Sequence, residues 1–177
     1  MRIGILGSGL MGSKLGTLFA RTGHDVMFSY ARSKEKLKKL AREAHGNARA
    51  GTPGEAAAES DVLLLAVHWS RLDDVLKQAG ELSGKVIVSC SLPMNADDTG
   101  LVIAHTSSGA EALAKRVRKA RVVSAFNTVP SEVVFIGIHN AWDTITYVVT
   151  DPAHGSDQTR HRGAGVGSRR PESRSQK

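Results

Sequence analysis

Short aliphatic runs alternate with amphipathic stretches from Arg2 to Phe126. Arg2–Leu6 is apolar and ends at a glycine, the pattern of a buried strand. Leu10–Arg21 carries Leu10, Met11, Leu15, Leu18 and Phe19 at helical spacing, and Gly23 follows as a stop. Asp25–Ser29 reads as a second strand. Lys34–Ala44 reads as a charged helix with Leu37, Leu40, Ala41 and Ala44 inside. Ala48–Ala50 fits a very short strand. Pro53–Glu59 fits a short helix capped by Thr52, with proline at its first position. Asp61–Val67 is a continuous Val/Leu strand of the kind found in parallel sheets covered on both faces. A helix over Ser70–Ala79, a strand over Lys85–Ser89, a polar loop from Leu92 to about Thr106, a helix over Ser108–Lys119 and a strand over Arg121–Phe126 follow. Ile145–Val149 is a candidate last strand.

This alternation predicts an α/β fold, a doubly wound parallel sheet with crossover helices, as one domain over residues 1–150. No internal repeat is visible. Residues 151–177 change character: Arg, Ser and Gly dominate, and Val166 is the lone large apolar side chain. Such a segment cannot bury enough surface to offset its ordering entropy and is expected to be a disordered tail.

Composition narrows the classes. Aromatic residues are 5% against 41% hydrophobic residues, so the core must be aliphatic. The net charge of +7 suits an anionic ligand. No basic stripe interleaved with aromatics is present, so nucleic acid is not the expected partner. The apolar runs are too short for a membrane span. Cys90 is the single cysteine, which excludes a disulfide framework. With no signal-peptide pattern at the start, a cytoplasmic location is expected. No His, Cys, Asp and Glu set has metal-ligand spacing, so no metal is expected.

The candidate chemistry begins at Gly7-Ser8-Gly9-Leu10-Met11-Gly12. The motif follows a predicted strand and opens a predicted helix, the context a dinucleotide site requires. Gly7 allows the tight turn, Gly9 lets the backbone approach a pyrophosphate, and Gly12 lets helix and strand pack closely. The diphosphate would rest on free N–H groups at the positive end of the helix. An NAD site places Asp or Glu about 20 residues further on, to bond the ribose 2′-hydroxyl. Here Ser29 and Tyr30 stand there, followed by Arg32, Ser33, Lys34 and Lys36. A guanidinium holds a 2′-phosphate that a carboxylate would repel, so NADP(H) is the expected cofactor. Cations at a helix start are unfavourable unless an anion compensates, which also points to a phosphate.

Met1-Arg2-Ile3-Gly4-Ile5-Leu6 and the glycine motif resemble the NADPH-dependent F420 reductases, also called F420-dependent NADP oxidoreductases. The wider group includes the reductase domain of the STEAP metalloreductases. Three further segments resemble the family: Tyr30–Lys36, where it binds the 2′-phosphate; Leu65-Ala66-Val67-His68-Trp69, near the nicotinamide; and Val122–Pro130, its late strand and turn. The resemblance covers about residues 1–135. It implies hydride transfer between C4 of NADPH and a flat acceptor, deazaflavin F420 or a flavin. It implies that His68 and Trp69 line the nicotinamide side together with Ala66 and Val67. It implies that Ser89, Cys90, Leu92 and Pro93 stand at the strand ends, and that Asn127 bonds the carboxamide or the acceptor. A homodimer is also implied.

Each assignment has a plain structural alternative. His68, the candidate for a catalytic proton role, is otherwise an exposed loop residue. Trp69 is a packing residue or a stacking surface, Cys90 a small buried residue, Asn127 a ligand contact or a turn former. The tail departs from the family after about Val149, as a shifted reading frame or a truncated gene product would. NADPH binding needs only the first part of the chain. The competing functions are an imine or hydroxy-acid reductase and an NADPH-binding module without turnover.

Overall fold

The computed structural model describes residues 1–134 and 148–150. Its strands are β1 (Arg2–Leu6), β2 (Asp25–Ser29), β3 (Ala48–Ala50), β4 (Val62–Leu65), β5 (Val86–Ser89), β6 (Arg121–Ser124) and β7 (Val148–Thr150). Its helices are α1 (Leu10–Arg21), α2 (Lys34–Ala44), α3 (Pro53–Glu59), α4 (Leu72–Ala79) and α5 (Gly109–Arg116). One sheet runs β3-β2-β1-β4-β5-β6-β7. The pairings from β3 to β6 are parallel, and β7 pairs antiparallel to β6, with Val123 opposite Val149. The order of the six parallel strands is that of the Rossmann fold, as the sequence predicts.

Alternation along the strands builds a core on each face. Leu6, Leu63, Leu65, Ile87 and Val122 pack with Leu72 and Val75 of α4 and Leu113 of α5. Ile3, Ile5, Val26, Phe28 and Leu64 pack with Leu15 and Ala20 of α1 and Leu37 of α2. Leu63 and Leu64, adjacent in sequence, therefore anchor opposite layers. Each buried side chain of this size contributes about 1.5–3 kcal/mol.

Local chemistry sets the helix starts. Thr52 and Glu55 form a reciprocal capping box on α3, with proline in the first turn. Ser108 and Glu111 do the same on α5. Backbone N–H donation from Thr52 and from Ser108 holds the Glu55 and Glu111 carboxyls below their usual range.

The differences from the sequence reading are local. The chain after β4 first makes a 3-10 turn at Trp69–Arg71 before α4 begins. α5 stops at Arg116, with Val117 as its cap. β6 ends at Ser124 because Phe126 takes φ +62 and leaves the strand direction. The polar stretch after β5 is a closed turn: Met94 pairs with Leu101, and the Val102 N–H donates to the Pro93 carbonyl at 2.7 Å. The final strand is Val148–Thr150, while 145–147 and the predicted tail lie outside the described residues.

Candidate functional site

β1 sits between β2 and β4, so the chain leaves β1 at the point where the strand order reverses. Ligands of open α/β sheets bind in the crevice at the carboxyl ends of the strands there. Gly7 takes φ +112, and a Cβ on it would overlap the Ala66 carbonyl. A Cβ on Gly12 would overlap the Gly7 carbonyl oxygen. A Cβ on Gly9 would meet nothing within 4 Å. Two of the glycines are therefore required by the fold, and the third faces open space. Gly9 caps α1 with no side-chain hydrogen bond, and the first turn holds no acidic residue. The backbone donors at this helix start are left for an anion.

Ser8 and Ser29 brace the turn. The Ser8 hydroxyl donates to the Ser29 carbonyl at 3.1 Å, and the Ser29 hydroxyl donates to the Ile5 carbonyl at 2.7 Å. Both residues are buried, and the Gly7 N–H also donates to the Ser29 carbonyl. Leu10 is exposed and Met11 half-buried.

At the end of β2, Arg32 and Lys36 are exposed and make no ion pair among the described residues. The Ser33 hydroxyl caps α2, accepting the Lys36 N–H at 3.1 Å. Tyr30 is half-buried, and its hydroxyl donates to Asp74 Oδ2 at 2.6 Å. Burial, and then the bond to Asp74, push the phenol up to about 12. The bond from Tyr30 holds the Asp74 carboxyl below its usual range.

The segment after β4 runs alongside the glycine turn. The Ala66 N–H donates to the Leu6 carbonyl at 2.9 Å. The Val67 carbonyl accepts the Ser91 hydroxyl at 2.6 Å, tying this segment to the one after β5. His68 uses both ring nitrogens: Nδ1 accepts the Ser70 N–H at 3.2 Å and lies 2.8 Å from the Ser70 hydroxyl, and Nε2 lies 2.9 Å from Asp98 Oδ1. With Nδ1 accepting from the Ser70 N–H, Nε2 is the ring nitrogen that can donate to Asp98. Trp69 packs on the core, and the Arg116 guanidinium lies 5.6 Å from its ring centroid.

Ser89 is buried, and its hydroxyl accepts the Ser91 N–H at 3.3 Å. Burial pushes the Cys90 thiol up to about 12, which makes it a poor nucleophile. Asn127 is half-buried, and its side chain makes no hydrogen bond among the described residues. Its segment returns toward α1, where Lys14 Nζ donates to the Ser131 carbonyl at 2.6 Å.

Residues 2–93, which include the carboxyl ends of β1, β2, β4 and β5, match the family described as NADP oxidoreductase, coenzyme F420-dependent. The chain belongs to this family. A solved structure described as a candidate F420-dependent NADP reductase from Arthrobacter sp. FB24 superposes with a TM-score of 0.75 at 23% identity. The match covers 86% of this chain and 75% of that one. A reductive aminase from Aspergillus terreus, in complex with NADPH4, cyclohexanone and allyl amine, superposes at 0.56 and 22% identity. It is matched over 75% of this chain and 43% of its own. The rat (Rattus norvegicus) metalloreductase STEAP3 is 29% identical over 128 residues, 72% of this chain and 25% of that protein. The chain thus spans a quarter of that relative's length. The description of the family, an NADP oxidoreductase, supports NADP(H) as the cofactor.

Within this F420-dependent NADP oxidoreductase fold, three supporting residues escape a reading of the sequence: Ser91, Asp74 and Asp98. Ser91 fastens the segment after β5 to the segment after β4, and the two acids hold Tyr30 and His68 from remote segments. Only Ser91 has a local signal, a small polar residue just past a strand end. No group of three or more metal-ligating side chains occurs among the described residues, and no described helix is long and apolar enough to cross a membrane.

Proposed function

We propose that this chain is an NADP-dependent oxidoreductase that passes a hydride between NADP(H) and a deazaflavin (F420) or flavin acceptor. The observation that carries the reading is the end of β2. No acid follows the strand at Ser29 and Tyr30, and Arg32 and Lys36, which make no ion pair among the described residues, stand beside a helix start that lacks a side-chain cap. Those residues fit a 2′-phosphate and a pyrophosphate on one ligand.

The dinucleotide supplies the two-electron chemistry when bound. The protein's part is to bind, orient and exclude water. Gly7, Gly9 and Gly12, with the N–H groups of Leu10 and Met11, hold the pyrophosphate, while Arg32, Ser33 and Lys36 hold the 2′-phosphate. Ser8 and Ser29 act through the backbone they brace. Ala66, Val67 and His68 line the nicotinamide side, with Trp69 packed behind them. Ser89 and Asn127 stand at the later strand ends toward the acceptor. His68 already uses both ring nitrogens, which supports an orienting role over proton transfer.

Titration with NADPH, followed by oxidation assays with F420, FMN or FAD, and ferric chelates, tests the reading. NADPH binding with oxidation by the deazaflavin or a flavin is expected. Binding without turnover on any acceptor makes the chain a nucleotide-binding module. No binding of either NADPH or NADH overturns the reading.

A further inference from the structure

Tyr30 leaves β2 at φ +58, a left-handed conformation that a bulky side chain adopts only when its surroundings enforce it. Two hydrogen bonds do so here. Its carbonyl accepts the Ser8 N–H at 3.1 Å, and its hydroxyl donates to Asp74 at 2.6 Å. β1 lies between β2 and β4, and α4 follows β4, so the Tyr30 side chain reaches across the carboxyl end of β1 to α4. Tyr30 packs against the core cluster on that face, which Val67 and Trp69 also border. Asp74 is held in turn by the Gln78 side-chain amide at 3.1 Å.

Asp74 is a carboxylate beside a site proposed for a polyanion, a placement that costs affinity unless it does something else. Accepting a hydroxyl proton is something a carboxylate does more strongly than a neutral acceptor. The ligand's geometry says where that matters. A dinucleotide with its pyrophosphate on α1 and its 2′-phosphate at Arg32 would carry its purine, one ribose carbon away, into the gap between the end of β2 and α4. The Tyr30 side chain spans that gap.

We propose that Asp74 is a positioning residue for the purine: it holds the Tyr30 hydroxyl so that the ring forms one wall of the adenine subsite. The inference rests on the dinucleotide-binding reading above and adds a residue that the cofactor itself does not touch.

Calorimetric titration of the full chain with NADPH, adenosine 2′,5′-bisphosphate and reduced nicotinamide mononucleotide tests it. Asp74→Ala is expected to weaken the first two ligands about tenfold, the scale of one hydrogen bond to a charged group, and to leave the nicotinamide half unchanged. Asp74→Asn keeps an oxygen acceptor and is expected to restore binding to within about threefold. Tyr30→Phe should match Asp74→Ala, and the double variant should lose no more than either. Ultraviolet titration should show the Tyr30 phenol ionising at lower pH in Asp74→Ala. The inference is overturned if Asp74→Ala releases the phenol yet binds the adenosine bisphosphate as the wild type does, or if Asp74→Asn loses as much as Asp74→Ala. A wild type that binds no dinucleotide overturns the function and this inference together. A binding wild type with an unaffected Asp74→Ala overturns this inference alone.

Discussion

His68 Nε2 lies 2.9 Å from Asp98 Oδ1 and joins the segment after β4 to the tip of the turn after β5. Asp98 sits there at φ +55, inside a turn closed by the Asn95 side chain, whose oxygen accepts the N–H groups of Thr99 and Gly100. The pair is a strut between two strand ends, and Asp98 is exposed, so its worth is up to about 1 kcal/mol, or roughly fivefold in a rate or affinity.

That magnitude separates two roles for His68. If the ring orients the site, His68→Ala and Asp98→Ala should both lower kcat for NADPH oxidation by less than about fivefold. If His68 moved a proton in the reaction, its removal would cost about 10²–10⁴-fold. Steady-state kinetics with a deazaflavin acceptor distinguish the two, and the smaller, matched losses are expected.

Gly9 and Gly12 should respond oppositely to the same substitution. Gly9→Ala adds a Cβ in open space, so thermal stability should change by less than about 1 kcal/mol. The added methyl stands where the pyrophosphate approaches, so NADPH and NADH should both bind at least about tenfold more weakly. Gly12→Ala drives a Cβ into the Gly7 carbonyl, so α1 must shift, at an overpacking cost of about 1–3 kcal/mol. Thermal melts and dinucleotide titrations of both variants check the contrast.

The parts of this protein that are legible in its sequence are those built from neighbours in the chain. The glycine motif declares itself between β1 and α1 because each glycine answers a local need of the turn. The Thr52 cap of α3, with Pro53 after it, is readable for the same reason. The supports of the site are not. Tyr30 and Asp74 are 44 positions apart, and His68 and Asp98 are 30 apart, so neither pair leaves a local pattern. Phe126 ends β6 early in a conformation usually announced by glycine, and no glycine is there. Val148–Thr150 runs antiparallel to β6, which periodicity cannot distinguish from another parallel strand.

Acid should loosen the start of the sheet through Asp61. Its carboxylate accepts the Arg2 backbone N–H at 3.0 Å and the Arg2 guanidinium at 2.5 Å, which holds its pKa at about 2. An unfolded aspartate titrates near 3.9. A depressed folded value means the contribution is fully present above about pH 4 and is lost as pH falls toward 2. Asp61→Asn should therefore melt below the wild type at neutral pH, and the gap should close on acidification. Because both partners are exposed, the gap should also shrink with added salt. Melting temperature against pH at two ionic strengths reads both effects.

Arg32 should discriminate between the two nicotinamide dinucleotides. A charge-assisted bond to a 2′-phosphate is worth about 1.5–3 kcal/mol, so Arg32→Ala should weaken NADPH about 10- to 100-fold. NADH lacks that phosphate, so its affinity should change by less than about threefold. Arg32→Lys keeps the charge and loses the paired geometry, so it should fall between the wild type and Arg32→Ala. Salt gives an independent reading, because Arg32 and Lys36 are exposed and screened. Raising ionic strength should weaken NADPH more steeply than NADH in the wild type, and the two slopes should converge in Arg32→Ala. Equal losses for both dinucleotides, or parallel salt slopes before and after the substitution, would remove the 2′-phosphate from this end of β2.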